Sequence, residues 1–330
     1  MTDSEFPRSL QHDLQPAWNQ YVDFLAPYRP DLHRYCVRLA GSLWDGEDLV
    51  QDTVVRVFAM LGKRWATIDN PRAFLARMAT NLWIDRVRRR ELERSVLARE
   101  AEEATVLDLS ADVACPGEVR EAARALLQRL TPRERAAVLM KDVLDLSLHE
   151  TAAILRTTTA AVKAALHRGR GRLAEEAAPA PGLAPPRELV DRFVEAFNAR
   201  DLGALKAIVS EDIRVELVGG NEMHGTSDSE DFFAHALARF PGEDRDPRFS
   251  IMDYRGEPIV LGFRCRNGVE MLNDASRLEA SDDGRVDAIR CYCWCPDTLR
   301  SLADEIGVRV NPRPYRSPTL DELQRMLSGE

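Results

Sequence analysis

The first residues that could do chemistry are basic and lie near the middle of the chain. Residues 159–173 contain five basic side chains and no acidic one, namely Lys163, His167, Arg168, Arg170 and Arg172. Before them, residues 148–155 have a helical pattern, and Arg156-Thr157-Thr158 form a short break, which is the spacing of a helix-turn-helix. This arrangement predicts a helix in the major groove of DNA, with cationic side chains against the phosphates.

Two helix-start signals support this interpretation. In Thr131-Pro132-Arg133-Glu134 and in Ser147-Leu148-His149-Glu150, a hydroxyl residue is followed three positions later by Glu. Such a pair satisfies two backbone N–H groups at a helix N-terminus, so a helix is predicted to begin at each. A basic helix alone is more often the solvated face of an ordinary bundle. The two start signals and the spacing together favour a DNA-contacting helix.

A second basic segment, PRAFLARMATNLWIDRVRRRELER (71–94), precedes this block. Helical periodicity places Asn81, Asp85 and Arg88 along one polar stripe. The apolar side is predicted to consist of Phe74, Leu75, Met78 and Leu82. Positive charge suited to phosphate contact is added by Arg86, Arg89 and Arg90. Trp83 could stack on an unpaired base, although a tryptophan at helical spacing is more often part of a core.

The elements that must position these residues fall into separate blocks. Apolar residues at three-to-four spacing predict a helical bundle up to about residue 94, and a second helical block covers 118–178. The acidic, aperiodic segment 95–117 between them ends in Pro-Gly, which indicates a linker. Residues 179–186 (PAPGLAPP) contain four prolines, which is again the composition of a linker.

After the second linker, helical periodicity gives way to strand-like runs. The runs are RVELV, RFSIMDY, PIVLGFRC, VEMLNDASRLEA and RVDAIRCYCWC. Asp283-Gly284, just before the last run, predicts a hairpin. The third domain is therefore predicted to be α+β, and DTLRSLADEIGV in the tail that follows it is helix-like.

Length and composition exclude several classes of protein. A chain of 330 residues with 45% hydrophobic composition can bury several cores. Its net charge of -9 argues against a uniformly basic surface, so DNA contact is expected through local patches. The sequence has neither a long apolar run nor a secretory start, so a cytoplasmic protein without membrane contact is expected. The six cysteines lack zinc-finger spacing and are expected to be free thiols.

Three segments in order resemble the extracytoplasmic-function (ECF) sigma factors of the sigma-70 family, which start bacterial transcription. They are LHRYCVRLAGSLWDGEDLVQDTVVRVFAML, NPRAFLARMATNLWIDRVRRR and LTPRERAAVLMKDVLDLSLHETAAILRTTTAAVKAALHRGRGRL. The resemblance covers residues 20–94 and 118–176. It implies a sigma region 2 at 16–94, a linker at 95–117, and a sigma region 4 helix-turn-helix at 118–178.

The resemblance also implies which residues make contacts. The helix GEDLVQDTVVRVF would dock on the β′ clamp helices of core RNA polymerase, while region 4 would meet the β flap. Polymerase binding is assigned to Asp48, Gln51, Asp52 and Arg56. Recognition of the -10 promoter element is assigned to Asn81, Asp85, Arg86, Arg88, Arg89 and Arg90. Recognition of the -35 element is assigned to Thr158, Thr159, Ala160, Lys163, His167, Arg168 and Arg170.

The chain departs from the sigma pattern at the predicted turn. The family usually has glycine where Arg156 stands, and if the turn needs a positive φ, arginine costs about 1 kcal/mol there. Gly169 and Gly171 would each cost a similar amount in a helix interior, about 1 kcal/mol. These departures argue against tight, family-like recognition of the -35 element.

Residues 186–295 resemble the SnoaL-like members of the nuclear transport factor 2-like superfamily, in which a curved sheet and helices form a cone-shaped barrel. A SnoaL-like regulatory domain is expected at 187–300, followed by a C-terminal tail at 301–330. The overall fold class is thus multidomain, with two all-α sigma domains and an α+β domain. In fused relatives this domain stands in for a separate anti-sigma protein, which implies regulation in cis.

Some relatives of the SnoaL-like fold are isomerases, cyclases or dehydratases. Polar candidates for such chemistry are His224, Asp228, His235, Asp253 and Tyr254, but their spacing is not distinctive. Cys291, Cys293 and Cys295 alternate, and a regular strand holds the Cα atoms of alternate residues too far apart to bring three sulfurs to one zinc. No catalytic residue, metal or cofactor is assigned, and a small-molecule ligand of the C-terminal pocket is left open.

Three functions stay open at this point: a sigma factor regulated by its fused domain, a DNA-binding repressor, and a fused enzyme. The repressor gives no reason for the polymerase-docking block. The enzyme needs an acid or base converging in the cone. The sigma factor is the favoured interpretation.

Overall fold

The structure is a computed structural model that describes residues 8–61, 68, 70–100, 130–143, 146–173, 185–220, 222–239, 243–281 and 283–312. Side chains are not described at 8–13, 90–100, 143, 171–173, 227, 228 and 231. The predicted linker 95–117 lies almost wholly outside these ranges, as do much of 179–186 and the tail beyond 312. The chain forms two compact units, Met1–Ala180 and Pro181–Glu330.

The first four helices of the helical unit are α1 (Arg8–Leu25), α2 (Arg29–Ala40), α3 (Leu43–Leu61) and α4 (Pro71–Glu100). Helix α2 ends at Ala40 and is capped by Gly41. The backbone of Gly41 is left-handed, with a φ of 80°, a conformation that glycine adopts without a Cβ clash. Close packing joins α2 to α3 at Gly46, where a Cβ would lie 2.6 Å from the Cα of Val37. Apolar residues at three-to-four spacing in α2 and α3, among them Leu39, Leu49 and Val54, are buried, whereas Leu61 at the end of α3 is exposed.

Helix α4 packs through a different stripe from the one predicted. Of the four residues assigned to its apolar side, Leu75 is buried, whereas Phe74, Met78 and Leu82 are only half-buried. The buried stripe instead continues through Ala76, Ala79, Thr80 and Trp83. Small side chains there let the backbones approach closely, and the Thr80 hydroxyl lies 2.7 Å from that of Tyr35.

A buried ionic cluster links α2 and α3. The carboxylate of Glu47 accepts a hydrogen bond of 3.0 Å from Arg29, lies 3.4 Å from the imidazole of His33 and accepts one of 2.7 Å from Gln51. The Arg29, His33 and Glu47 side chains are almost wholly excluded from solvent. Buried charges are stable only when paired and hydrogen-bonded, and this carboxylate supplies the pairing.

The rest of the helical unit contains α5 (Pro132–Val138), one π-helical turn (Leu139–Val143), α6 (Leu148–Ile154) and α7 (Thr159–Leu173). Both predicted helix starts are confirmed as reciprocal capping boxes. Glu134 accepts from the Thr131 amide at 3.1 Å and donates its own amide to the Thr131 hydroxyl at 3.4 Å. In the second box, Glu150 accepts from the Ser147 amide at 2.8 Å and donates its own amide to the Ser147 hydroxyl at 3.1 Å.

The α+β unit confirms the predicted class of the third domain. Its elements are α8 (Arg187–Ala199), α9 (Leu202–Ile208), β1 (Val209–Leu217), β2 (Glu222–His224), α10 (Gly225–Leu237), β3 (Arg245–Tyr254), β4 (Glu257–Arg266), β5 (Val269–Ala280), β6 (Val286–Cys291), α11 (Pro296–Ile306) and β7 (Arg309–Val310). The strands form one sheet in the order β2-β1-β6-β5-β4-β3, with β7 paired to β5. The β1–β6 and β5–β7 pairs are parallel and the others antiparallel.

Helices α8 to α10 cover one face of this sheet and form the core with it. Phe193 and Phe197 of α8 both contact the ring of Phe233 of α10, and Phe197 also contacts Phe249 of β3. Aromatic side chains that meet edge to face bury much apolar area. The predicted hairpin at Asp283-Gly284 is confirmed between β5 and β6, and Gly284 has a φ of 78°.

The last predicted strand run ends earlier than its sequence pattern indicates. RVDAIRCYCWC is strand only to Cys291, and the amide of Cys295 then donates to the Tyr292 carbonyl at 3.0 Å to close a turn. Pro296 follows at the start of α11, and a proline cannot continue a strand ladder. In the part of the chain that the structure describes, no helix is long and apolar enough to cross a membrane.

Candidate nucleic-acid interface

The turn of the predicted helix-turn-helix has the geometry that the sequence required. Helix α6 ends at Ile154, and the amide of Thr157 donates to the carbonyl of Ala152 at 2.9 Å. Arg156 has a φ of 50°, so the turn does need a positive φ at the position where the sigma pattern has glycine. A side chain with a Cβ is strained in this conformation.

Replacing Arg156 with glycine is therefore expected to raise the local free energy of unfolding of α6 and α7 by about 1 kcal/mol. Amide hydrogen exchange of the two helices measures this change. Ala153→Gly is the matched control, since Ala153 is exposed in the right-handed helix and its replacement should cost about 1 kcal/mol. Destabilisation by both substitutions would contradict the assigned strain.

Helix α7 presents one face to the domain and one to solvent. Val162, Ala165, Leu166 and Gly169 are buried. Close packing favours glycine at residue 169, because a Cβ there would lie 3.1 Å from a methyl group of Val138. On the opposite face, Ala160, Lys163, Ala164 and His167 are exposed.

The N-terminus of α7 is also open to solvent. Thr158 and Thr159 are exposed, and the hydroxyl of Thr158 accepts a hydrogen bond from the Ala161 amide at 3.1 Å. A hydroxyl in this position caps the helix. The predicted -35 residues 158–160, 163 and 167 thus share an exposed surface, which is named the α7 outer face.

Two arginines that are predicted to contact phosphates form ion pairs within the helical unit. Arg168 donates to Glu134 at 3.0 Å, and Arg170 donates to both carboxylate oxygens of Asp142 at 3.2 and 2.6 Å. The bonds to Asp142 raise the pKa of Arg170 above its usual value. Both arginines remain more than half exposed, so a phosphate could replace or share these partners.

Helix α4 carries the predicted -10 residues, and five of their six side chains are described. Asn81 and Arg86 are half-buried, and Asp85, Arg88 and Arg89 are exposed. Arg88 lies 3.9 Å from Asp85, a weak exposed pair. The prediction for the side chain of Arg90 lies outside the described residues.

The predicted polymerase-binding residues follow one another along α3. Asp52 and Arg56 are exposed, while Asp48 and Gln51 are half-buried. Arg86 of α4 donates to Asp52 at 2.5 Å, so the two predicted surfaces meet at an ion pair. Gln51 is oriented by its bond to Glu47, which ties this surface to the buried ionic cluster.

Trp83 is a core residue, which is the more common role of a tryptophan at helical spacing. It is 6% exposed, and the guanidinium of Arg135 lies 5.2 Å from its ring centroid. Arg135 also donates to the Leu39 carbonyl at 2.7 Å, and burial lowers its pKa to about 10. Helix α5 thereby covers Trp83, and in this arrangement the indole is closed to a base.

In the α+β unit, the catalytic candidates whose side chains are described lie on three different elements, β2, α10 and β3. His224 and Asp253 are exposed, and Asp253 accepts from the Gly256 amide in a turn. Tyr254 is buried with Arg255 over its ring, and His235 lies near the end of α10. The side chain of Asp228 lies outside the described residues.

A carboxylate that sequence reasoning missed lies on the sheet. Asp274 of β5 faces Gly262 of β4, where a Cβ would overlap the carboxylate. The strand register shifts beside this pair, so no residue of β4 is in register with Asn273 of β5. The side-chain amide of Asn273 donates to the Asp274 carboxylate at 3.2 Å. Bulges of this kind re-aim side chains. The pairing of Gly262 with Asp274 depends on strand register, so no local motif could have found it.

The cysteines are free thiols at the five positions that the structure describes, and Cys115 lies outside them. Cys291 and Cys295 are buried and Cys293 is half-buried. Among the described residues, no group of three or more His, Cys, Asp or Glu side chains could hold a metal ion.

Comparison with known proteins matches three family models to the chain. They are Sigma-70 region 2 at residues 24–93, Sigma-70, region 4 at 120–173 and SnoaL-like domain at 190–287. The ECF RNA polymerase sigma factor SigG of Mycobacterium tuberculosis is 33% identical over 223 residues, covering 58% of this chain and 60% of that protein. The RNA polymerase sigma-E factor of Streptomyces coelicolor is 30% identical over 164 residues, covering 48% and 85%.

The chain thus spans 60% of the length of the SigG relative. Among solved structures, the crystal structure of the Mycobacterium tuberculosis extracytoplasmic function sigma factor SigJ is similar over 82% of this chain and 95% of that one. The sequence identity is 21% and the TM-score is 0.32.

Proposed function

Because the chain belongs to the ECF RNA polymerase sigma factors of the sigma-70 family, we propose that it binds core RNA polymerase and directs it to specific promoters. The observation that carries this proposal is the α7 outer face, which presents Lys163 and His167 on a helix-turn-helix. The polymerase-docking helix α3 precedes it in the same unit. A recognition helix and a docking helix are together what promoter-directed initiation requires.

Polymerase binding is proposed for Asp48, Gln51, Asp52 and Arg56 against the β′ clamp helices, with region 4 against the β flap. The exposed carboxylate of Asp52 and guanidinium of Arg56 can pair with charges on a partner. The ion pair between Asp52 and Arg86 would be exchanged on binding. Such an exchange keeps the net cost of docking low.

Recognition of the -10 element is proposed for Asn81, Asp85, Arg86, Arg88, Arg89 and Arg90 on α4. Extracting a base from the duplex costs a few kcal/mol, which phosphate contacts of the arginines would offset. Arg88 and Arg89 are exposed and suited to this role. Asn81 and Asp85 lie one helical turn apart and can bond to base edges.

Recognition of the -35 element is proposed for Thr158, Thr159, Ala160, Lys163 and His167, with Arg168 and Arg170 on phosphates. Side chains on the outer face of a recognition helix read base edges, whereas flanking cations set position. Lys163 donates to acceptors such as those of guanine, and Ala160 can contact a thymine methyl group.

Reconstituted transcription tests this function. Purified chain added to core polymerase should form holoenzyme and start RNA synthesis at defined promoters. Charge reversal at Asp48 together with Asp52 should weaken polymerase binding while the circular dichroism spectrum is retained. If the chain binds promoter DNA equally well alone and never forms holoenzyme, the repressor function replaces the proposed one.

Lys163 and the two flanking arginines should differ in what they contribute. Arg168→Ala and Arg170→Ala should weaken holoenzyme binding to all promoters and lower the slope of log affinity against log salt by about one each. Lys163→Ala should instead reorder the preference among -35 sequences, changing discrimination by about 1–3 kcal/mol. Binding titrations over a salt series separate these effects, and an unchanged slope in both arginine variants would remove them from the phosphate contacts.

For the SnoaL-like domain we propose regulation in cis rather than catalysis. The dispersed positions of His224, Asp253 and Tyr254 support this role, because acid and base chemistry needs groups within reach of one substrate. Covalent attachment gives the domain a high effective concentration beside the DNA-binding domains, so weak contacts suffice. A small-molecule ligand of its pocket is compatible with this role.

Truncation tests the regulatory role. Removal of all residues after Ala178 and removal of residues 311–330 alone should change promoter activity in distinguishable ways. The three forms are compared over a range of polymerase concentrations, with holoenzyme formation measured in parallel. Equal activity of all three would reject regulation in cis and favour the enzyme or ligand-carrier function.

A further inference from the structure

One buried side chain joins two parts of the helical unit that are far apart in the sequence. Arg135 of α5 donates a hydrogen bond of 2.7 Å to the carbonyl of Leu39 in α2. The same guanidinium lies 5.2 Å from the ring centroid of Trp83 in α4. Arg135 is 8% exposed and Trp83 is 6% exposed. These three residues are named the Arg135 contact, which holds α5 against α2 and α4 with little access for water.

The chemistry of the Arg135 contact suits an interface that can open. A charged donor makes stronger hydrogen bonds than a neutral one, and a desolvated guanidinium gains most from an aromatic face. Arginine is rare in permanent cores, where its charge stays desolvated, but it is enriched in protein interfaces. When the two parts separate, the guanidinium regains water. The contact is therefore strong while it is closed and leaves no buried charge once it is open.

Helix α5 also packs against α7, so it connects the two helices that are proposed to read DNA. A Cβ at Gly169 of α7 would lie 3.1 Å from a methyl group of Val138 in α5. Neighbouring helix axes lie about 8–10 Å apart, so near this contact the axes of α4 and α7 are at most about 20 Å apart. Adding about 6 Å of helix radius on each side and about 16 Å of α7 up to Thr158 gives at most about 50 Å between the two DNA-reading surfaces.

Promoter DNA separates the two elements by more than this distance. The -35 and -10 elements are named for positions about 25 base pairs apart, which at about 3.4 Å per base pair is about 85 Å. The chain is long enough to open, because residues 101–129 join α4 to the segment before α5, and about 30 residues span at most about 100 Å when extended. The closed helical unit therefore reaches one element at a time.

We propose that the Arg135 contact is autoinhibitory: it keeps the free chain in a closed form that must open before α4 and α7 occupy both promoter elements. This inference rests on the proposed function, because it requires both helices to read the same promoter. The apparent affinity for promoters is then reduced in proportion to the fraction of chains that are open. Core RNA polymerase stabilises the open form, because its β′ clamp helices and its β flap would each hold one part of the unit.

Distance measurements on the full-length chain test this proposal. Spin labels are attached to cysteines introduced at the exposed residues Ala59 of α3 and Ala153 of α6, with Cys115 and Cys293 replaced by serine so that they are not labelled. In the free chain, pulsed electron resonance should give one short distance, within about 50 Å. In the complex with core polymerase and promoter DNA, this distance should increase by about 30 Å or more.

Arg135→Ala should add a long-distance population to the free chain. The ratio of open to closed chains should rise about tenfold, which is the weight of one hydrogen bond from a charged group. Promoter complexes should form at correspondingly lower concentrations of chain, about tenfold lower at most. Arg133→Ala is the matched control, since Arg133 is exposed on the same helix, and it should leave the distance unchanged. Hydrogen exchange of α6 and α7 should be the same in both variants.

Arg135→Lys keeps the charge without the planar guanidinium, so it should open the chain less than Arg135→Ala. If Arg135→Ala unfolds α6 and α7, the lysine variant carries the same comparison. Equal distances in the free wild type and the opened variants would overturn the proposal, as would a short distance retained in an active promoter complex or a loss of promoter affinity on opening. Opening of a free chain that never binds polymerase would instead reject the proposed function, and with it the role of the contact in promoter binding.

Discussion

Glu47→Ala is expected to lower the free energy of unfolding of the helical unit by about 3–5 kcal/mol. The substitution removes the carboxylate that Arg29, His33 and Gln51 share, while the guanidinium of Arg29 remains buried. A buried charge that loses its partner keeps its desolvation penalty without compensation. The loss should also release Gln51, so polymerase binding should weaken together with stability.

Urea denaturation followed by hydrogen exchange of α2 and α3 measures this effect. Asp52→Ala on the same helix is the matched control, since its pair with Arg86 is exposed and worth less than about 1 kcal/mol. Glu47→Gln keeps the shape of the side chain but not its charge, and should fall between the two. If Glu47→Ala and Asp52→Ala lose the same stability, the buried cluster does not hold α2 and α3 together.

The features that could be predicted from sequence are those formed by nearby residues. Thr131 with Glu134 and Ser147 with Glu150 satisfy each other across three positions, so their helix starts are visible in the sequence. The short break Arg156-Thr157-Thr158 between two helical patterns is likewise visible in the sequence. Because such interactions need no knowledge of the fold, reasoning from the residues found the helix-turn-helix.

The features that escaped prediction depend on residues far apart in the chain. Glu134 is recognisable as a capping residue, yet its second role, as partner of Arg168, spans 34 positions and requires α5 to pack on α7. The buried stripe of α4 differs from the predicted one because it includes Ala76 and Ala79, whose small side chains allow close helix contact. Likewise, Asp274 meets Gly262 only through the register of β4 and β5.

These long-range contacts also bear on function. Arg168 and Arg170 are held by Glu134 and Asp142 on either side of α7. Ion pairs of this kind fix the direction of a long side chain, which reduces the entropy lost when a phosphate is bound. The same carboxylates compete with the phosphate, so each of these arginines is expected to add less affinity than an arginine without an internal partner.

Arg264→Met is the second substitution with a large expected effect, and it acts on the α+β unit. The guanidinium donates to both oxygens of Glu243 at 3.2 and 2.9 Å, and to the carbonyls of Ala238 and Ala236 at 2.8 and 3.2 Å. These carbonyls lie at the C-terminal end of α10, where a cation also meets the negative end of the helix dipole. The Arg264 and Glu243 side chains are only 6% and 2% exposed.

Loss of this cation should lower the free energy of unfolding of the α+β unit by about 3–5 kcal/mol, because Glu243 stays buried without it. Hydrogen exchange of α10 and β4 should accelerate accordingly. Arg285→Ala is the control, since its pair with Asp283 is exposed and should cost less than about 1 kcal/mol. The double variant Arg264→Met with Glu243→Gln removes both charges and should be more stable than Arg264→Met alone. If the double variant is instead the less stable of the two, the cost of an uncompensated Glu243 charge is not what destabilises the single variant.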